Sequence, residues 1–167
     1  LNLLNVSELR AVLAHEFGHF AGGVQLEGAQ ALTQGLTKVE RAAVAYDAFM
    51  QTELGPMLSK GLLPPVGEGF RQFFASELAK SQASQILAVA LTEPDPYDSH
   101  PPLVDRIDAA LRLGHLVRAT DERLSIELVR NISAMEVALA QRWVDDHKPL
   151  QAITWEQKDR SEEQDLP

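Results

Sequence analysis

The 167-residue sequence predicts a mainly α-helical domain of about five helices with little or no β-structure. Three observations carry that prediction. Apolar residues recur at three- and four-residue spacing over long stretches, capping residues stand where those stretches begin, and Gly/Pro clusters stand where they end. The length suits a single hydrophobic core. With 45% hydrophobic and 23% charged residues the composition is that of a soluble globular chain, so wholesale disorder and fibrous repeats are excluded.

Asn5-Val6-Ser7-Glu8 opens the first helix, with Glu8 three residues after Asn5 as in a capping box. Leu9, Val12, Leu13 and Phe17 then fall on one face, which predicts a helix from about Ser7 to Ala21 stopped by Gly22-Gly23. A second helix is predicted from Ala29 to about Glu53, with Leu32, Leu36, Val39, Ala43, Tyr46, Phe49 and Met50 on its stripe and Gly55-Pro56 at its end. The Pro- and Gly-rich stretch 61–69 reads as a loop. Helix resumes from Phe70 to Thr92, although its last part, Ile86 to Leu91, also suits a short strand. Glu93 to His100 is a proline-punctuated loop. Pro101-Pro102 introduces a helix from Leu103 to Leu113, and a last long helix is expected to begin after Thr120 and run to about Val144. Residues 1–149 thus form the predicted domain, and 150–167 a polar, acidic tail anchored only by Ile153 and Trp155.

Composition narrows the chemistry. With no Cys there is no disulfide, no thiolate zinc cluster and no cysteine nucleophile, so any metal must be held by His and carboxylates. A formal net charge of −9 argues against nonspecific binding to nucleic acid or to anionic lipid. No apolar run approaches the ~20 residues of a membrane-spanning helix, so the chain is expected to be soluble as it stands.

His15-Glu16-Phe17-Gly18-His19 is the motif that carries chemistry. Residues four apart share one helix face, so both imidazoles reach one Zn²⁺ while Glu16 points to a neighbouring position. The metal lowers the pKa of a bound water toward ~7, and Glu16 takes that water's proton and later passes one to the leaving amine. A catalytic zinc usually has a third protein ligand, commonly a Glu from a later helix. Glu27, Glu40, Glu53, Glu68 and Glu77 are the candidates. Glu40 is the nominal choice, because Ala42 and Ala43 beside it allow close helix approach. Accidental spacing on an ordinary amphipathic helix is the competing reading for the two histidines, and a solvated helix face is the competing reading for each Glu.

Leu9-Arg10-Ala11-Val12-Leu13-Ala14-His15-Glu16-Phe17-Gly18-His19 resembles the active-site helix of the M48 family of zinc metallopeptidases, which includes the HtpX heat-shock proteases and the CAAX prenyl proteases. Tyr97-Asp98-Ser99-His100-Pro101-Pro102-Leu103-Val104-Asp105-Arg106-Ile107 resembles that family's C-terminal signature, a Ser/Thr-His-Pro-Pro-Leu followed by an acidic residue, Arg and an aliphatic residue. The two matches span the chain from about Glu8 to Leu113. The resemblance implies a zincin-like helical peptidase domain with His15 and His19 as zinc ligands and Glu16 as general base. It implies a polypeptide substrate, and a parent protein embedded in a membrane with its active site on the cytoplasmic side. It carries His100 over as a group that stabilises the oxyanion, and Arg106 as a cation beside the same cleft. His100 also suits an N-cap of the Leu103 helix, and Arg106 a surface ion pair. The sequence departs from the family at Gly23-Val24. The membrane helices and the Glu-x-x-x-Asp segment expected there are missing, while Gly28-Ala29-Gln30-Ala31-Leu32 resembles what normally follows that segment. The expectation is a lost stretch near 23–24 and, with it, the native third ligand.

Two functions follow. The first is a metalloendopeptidase serving proteolysis, with membrane-protein quality control as the expected setting; the second is an inactive helical interaction module on a degenerate peptidase scaffold. Retention of Glu16 favours the first. The outer frame expected is a cleft between the His15 helix and the Leu103 helix.

Overall fold

The structure is a computed structural model that describes residues 2–77, 79–80, 101–113, 119–144 and 149–157, with the backbone alone for 18–21. It is mainly helical, as the sequence predicts. The helices are α1 (Val6–Glu27), α2 (Ala29–Phe49), α3 (Gly55–Ser59), α4 (Val66–Ala75), α5 (Leu103–Arg112) and α6 (Ile132–Ala140); β1 (Leu62–Leu63) pairs in parallel with β2 (Gln151–Ala152). The predicted loop at Glu93–His100 and the ambiguous stretch at Ile86–Leu91 lie outside the described residues. The chain divides into two compact units, Leu1–Val44 with Lys80–Leu128, and Ala45–Ala79 with Val129–Pro167.

In the first unit, the capping box forms as predicted: Glu8 N–H donates to Asn5 Oδ1 (2.8 Å) and Asn5 N–H to Glu8 Oε2 (2.9 Å). Gly22-Gly23 do not end α1; they let it fold back on itself. A Cβ at Gly22 would lie 2.8 Å from the Ala14 carbonyl oxygen and one at Gly23 2.5 Å from that of Ala11. In a straight helix Ala14 and Gly22 would stand roughly 12 Å apart. The Arg10–Glu27 ion pair (3.0 Å) closes the same fold-back, since a straight helix would separate those residues by roughly 25 Å. Ala11, Val24, Ala29, Leu32, Leu36, Leu103 and Ala110 form the core of this unit, with α5 packed on α1.

The long helix expected over 120–144 is broken. Residues 121–125 run antiparallel to residues 4–7, bridged at Asn5 and Leu124, and spend their backbone groups on the start of α1 instead of on a helix of their own. A short 3₁₀ turn, Ser125–Leu128, follows. Asn131 then takes a left-handed conformation (φ 57°, ψ 40°), which an Asn tolerates and a continuing α-helix does not, and α6 starts after it.

In the second unit, a π-helical turn over Met50–Leu54 carries the chain from α2 into α3, with Gly55 N–H donating to Met50 O. Gly55-Pro56 is therefore a helix start, with Pro in the first turn where its missing N–H is harmless. The stretch read as a loop contains β1 and the first turn of α4. That turn has poor intrinsic propensity, and Glu136 Oε1 of α6 accepts from the Gly67 N–H (2.8 Å). Phe49 is the centre of the core, with Phe70, Phe73 and Trp155 around it at ring separations of 5.5, 5.7 and 6.1 Å. Trp155 Nε1 donates to Pro65 O (3.0 Å), and its ring fills the space a Cβ at Gly69 would need.

Candidate active site

The face of α1 that points into the first unit is Glu8-Ala11-His15, at helical spacing i, i+3, i+7. His15 is 4% exposed and Glu8 2%. The apolar stripe expected from Leu13 and Phe17 is not the buried one; Phe17 is 87% exposed and Leu13 is exposed beside it. The reason is close packing. Gly35 of α2 lies against Val12 and the Glu8 backbone of α1, and Gly23 against the Ala11 carbonyl and Leu32, at distances that leave no room for a larger side chain on this face. Glu16, one residue past His15, lies on the exposed flank of the same turn. His19 follows His15 by four residues on α1; its side chain lies outside the described set, as does His100 altogether.

A buried carboxylate is costly unless it is paired and hydrogen-bonded. Glu8 meets both conditions: besides the Asn5 N–H it accepts from Lys38 Nζ of α2 at 2.7 and 2.8 Å. A polar groove of about 630 Å³ runs beside this pair, lined by Gln30, Thr33, Thr37, Lys38, Arg41 and Glu122 among others. Sequence reading found the Asn5–Glu8 box from local spacing. It missed Lys38, because a partner thirty residues away on another helix leaves no local signature.

The first helical N–H groups of α1 have no intrahelical partner by construction. Here Val6 N–H donates to Arg123 O (2.9 Å) and Ser7 N–H to Asp121 O (3.3 Å), while Asp121 N–H returns a bond to Ser7 Oγ (2.9 Å). The Arg123 guanidinium forks onto Asp121 at 2.9 and 2.6 Å and holds its carboxyl below the usual carboxylate range.

Arg106 and Glu40, both singled out in the sequence, come together. Arg106 Nη2 lies 3.6 Å from Glu40 Oε1, with Arg106 buried on α5 and its Nε without a hydrogen-bond partner among the described residues. Of the other Glu candidates, Glu27 pairs with Arg10 and Glu68 accepts from Gln72 Nε2 (3.2 Å). Glu53, Glu68 and Glu77 belong to the second unit. Among the described residues no three His, Asp or Glu side chains gather into a metal-sized group. One described imidazole and the helical register of a second are short of the three protein ligands of a catalytic zinc.

The sequence model of Peptidase family M48 matches residues 1–113, from the capping box through α5. The chain belongs to the M48 peptidase family. No curated protein and no solved structure matches it. Membership in M48 supports a metallopeptidase-type function, and the matched region contains α1 with His15 and Glu16. Among the described residues no helix is long and apolar enough to cross a membrane.

Proposed function

We propose that this M48 chain is a zinc-dependent metalloendopeptidase that hydrolyses peptide bonds in polypeptide substrates. The observation that carries the reading is the division of labour within one turn of α1: His15 faces inward among packed helices, and Glu16 stands on the accessible flank. His15 and His19 would hold the Zn²⁺, which when bound supplies Lewis acidity toward the scissile carbonyl. Glu16 accepts the proton of the attacking water and returns one to the leaving amine, so no covalent intermediate is needed. Arg106, through its cationic head, offsets negative charge that develops on the carbonyl oxygen, and His100 does the same by hydrogen bonding. Glu40 completes the metal set only by exchanging Arg106 for the ion, which makes it the weakest member. The parent protein is proposed to sit in a membrane with this site on the cytoplasmic side, acting in quality control of membrane proteins.

Glu16→Gln is the test. Removing the base while keeping size should lower casein cleavage on the order of 10²–10⁴-fold, with folding unchanged by circular dichroism. Cleavage that survives the substitution rules the mechanism out. The Glu40–Arg106 pair favours the second reading, an inactive interaction module, since it occupies the nominal third ligand with a cation in place of a metal. Stoichiometric zinc retained through dialysis would reject it.

A further inference from the structure

We propose that β1, Pro65 and Gly69 form a peptide-recognition seat for an extended segment carrying a tryptophan, which the chain fills with its own residues 149–157 and which the same segment of a second copy fills in trans. The seat lies inside the region matched by the family, and its occupant lies outside that region. Seat and segment both belong to the second unit, whereas the peptidase motif belongs to the first.

Two kinds of contact define the fit. The first is addition of a strand: β2 pairs with β1 in parallel, Gln151 N–H donates to Gly61 O (2.8 Å), and Ile153 N–H, two residues on, donates to Leu63 O (3.0 Å). Main-chain bonds of this kind give affinity and read no sequence; pockets for side chains supply the specificity. The second contact is such a pocket. The Trp155 ring fills the space that a Cβ at Gly69 would need, stands 6.1 Å from the Phe49 ring, and donates from Nε1 to Pro65 O (3.0 Å). A packed aromatic body with its polar tip satisfied is the usual form of an anchor residue. Leu150 adds a second apolar contact with the same core, whereas Gln151, Ala152, Thr154, Glu156 and Gln157 are exposed and place no demand on the seat.

The segment brings its anchor ready made. Thr154 N–H donates to Gln157 Oε1 (2.8 Å) and Gln157 N–H to Thr154 Oγ1 (3.3 Å), a reciprocal cap that sets the turn bearing Trp155 from within the segment. A ligand preorganised in this way loses less conformational entropy on docking. The seat has supports of its own. Gly61 takes a positive φ (78°) at the turn into β1, and Gly69 sits in the first turn of α4, whose Gly67 N–H goes to Glu136 of α6 rather than to the tail. In cis, tethering gives the segment an effective concentration on the order of millimolar. Exchange between intact copies is therefore rare, and a test has to separate the seat from the segment.

Two full-length variants do so. Trp155→Ala keeps the seat and removes the anchor; Gly69→Ala keeps the anchor and closes the seat. By light scattering each variant alone should be a monomer, and an equimolar mixture should form a dimer with one copy of each, joined by exchange of the segment. A synthetic peptide of residues 149–157 should bind the Trp155→Ala chain in calorimetric titration and raise its melting temperature. Binding should weaken at least about 30-fold when the chain also carries Gly69→Ala, or when the tryptophan of the peptide is replaced by alanine, as for the loss of an aromatic anchor. A mixture that stays monomeric overturns the proposal, as does peptide binding indifferent to either change. Should Trp155→Ala alone leave the second unit unfolded, refolding by the peptide supports the seat, and failure to refold overturns it.

Discussion

Around Phe49 three aromatic rings pack at 5.5–6.1 Å, and the second unit is organised by their bulk. Around Ala11 the core of the first unit holds no aromatic side chain among the described residues; alanines, glycines and a few aliphatics let helix backbones touch, and a Glu8–Lys38 pair with buried Glu8 sits at its edge. Large rings bury area and tolerate small shifts of the backbone. Small residues bury less, yet they hold helices at one spacing because any added atom collides. The unit that bears His15 and Glu16 uses the second method, which suits a helix whose side chains must be held to within a fraction of an ångström. The difference predicts that the two units respond to opposite kinds of substitution.

The largest effect is expected in the aromatic unit. Phe49 is fully buried, and Phe49→Ala removes its contacts with Phe70, Phe73 and Trp155, a loss of about 3–5 kcal/mol. Urea unfolding followed by Trp fluorescence reads it, and a cost under about 1 kcal/mol would show that Phe49 does not organise the unit.

In the first unit the damaging change is enlargement. Gly23→Ala places a methyl 2.5 Å from the Ala11 carbonyl oxygen and against Leu32, so the fold-back must open, at about 1–3 kcal/mol. Ala normally stabilises a helix relative to Gly by about 1 kcal/mol, so the sign of the measured change discriminates. Stabilisation would mean that α1 does not double back there. Lys38→Met tests the other feature of this unit. It leaves the Glu8 carboxylate buried with the Asn5 N–H as its one remaining hydrogen-bond donor among the described contacts, at about 1–3 kcal/mol, moderated because Lys38 is itself partly in water. The companion Glu8→Gln/Lys38→Met variant should recover part of that loss, because the uncompensated charge is then gone.

These pairs also show why parts of the molecule were legible in the sequence and others were not. Local rules worked where the determinant is local: the Asn5–Glu8 box, Pro102 ahead of α5, and the helical class as a whole. They failed where a distant partner overrides the local preference. Gly22-Gly23 read as a stop because nothing nearby reveals that Ala11 and Ala14 lie against them. Gly67 and Gly69 read as loop because the stabilising partners, Glu136 and Trp155, come from the far end of the chain. Leu13 and Phe17 share an apolar face by spacing, yet the small residues decide which face is buried, and that face is the one with Ala11. His15 and His19 stood out because four residues is the register that places two side chains on one helix face, and both positions do fall on α1. The Glu40–Arg106 pair was not, since each had been read singly.

The smallest effect concerns pH and separates the strap at the start of α1 from the cores of both units. Asp121 is partly exposed, and its bidentate bonds to Arg123 lower its pKa in the folded chain. A carboxyl whose folded pKa is depressed contributes stability above its unfolded pKa of about 3.9 and loses that contribution as pH falls through the lower folded value. The acid unfolding of the parent should therefore include a small component below about pH 4 that Asp121→Asn lacks. At neutral pH the variant is slightly less stable than the parent; as the pH approaches 3 the two converge. Urea midpoints at pH 7, 4 and 3 check the sign. A gap that widens on acidification would mean that Arg123 does not hold Asp121 in its charged form, and that the geometry of 121–123 is set by the backbone bonds to Val6 and Ser7 alone.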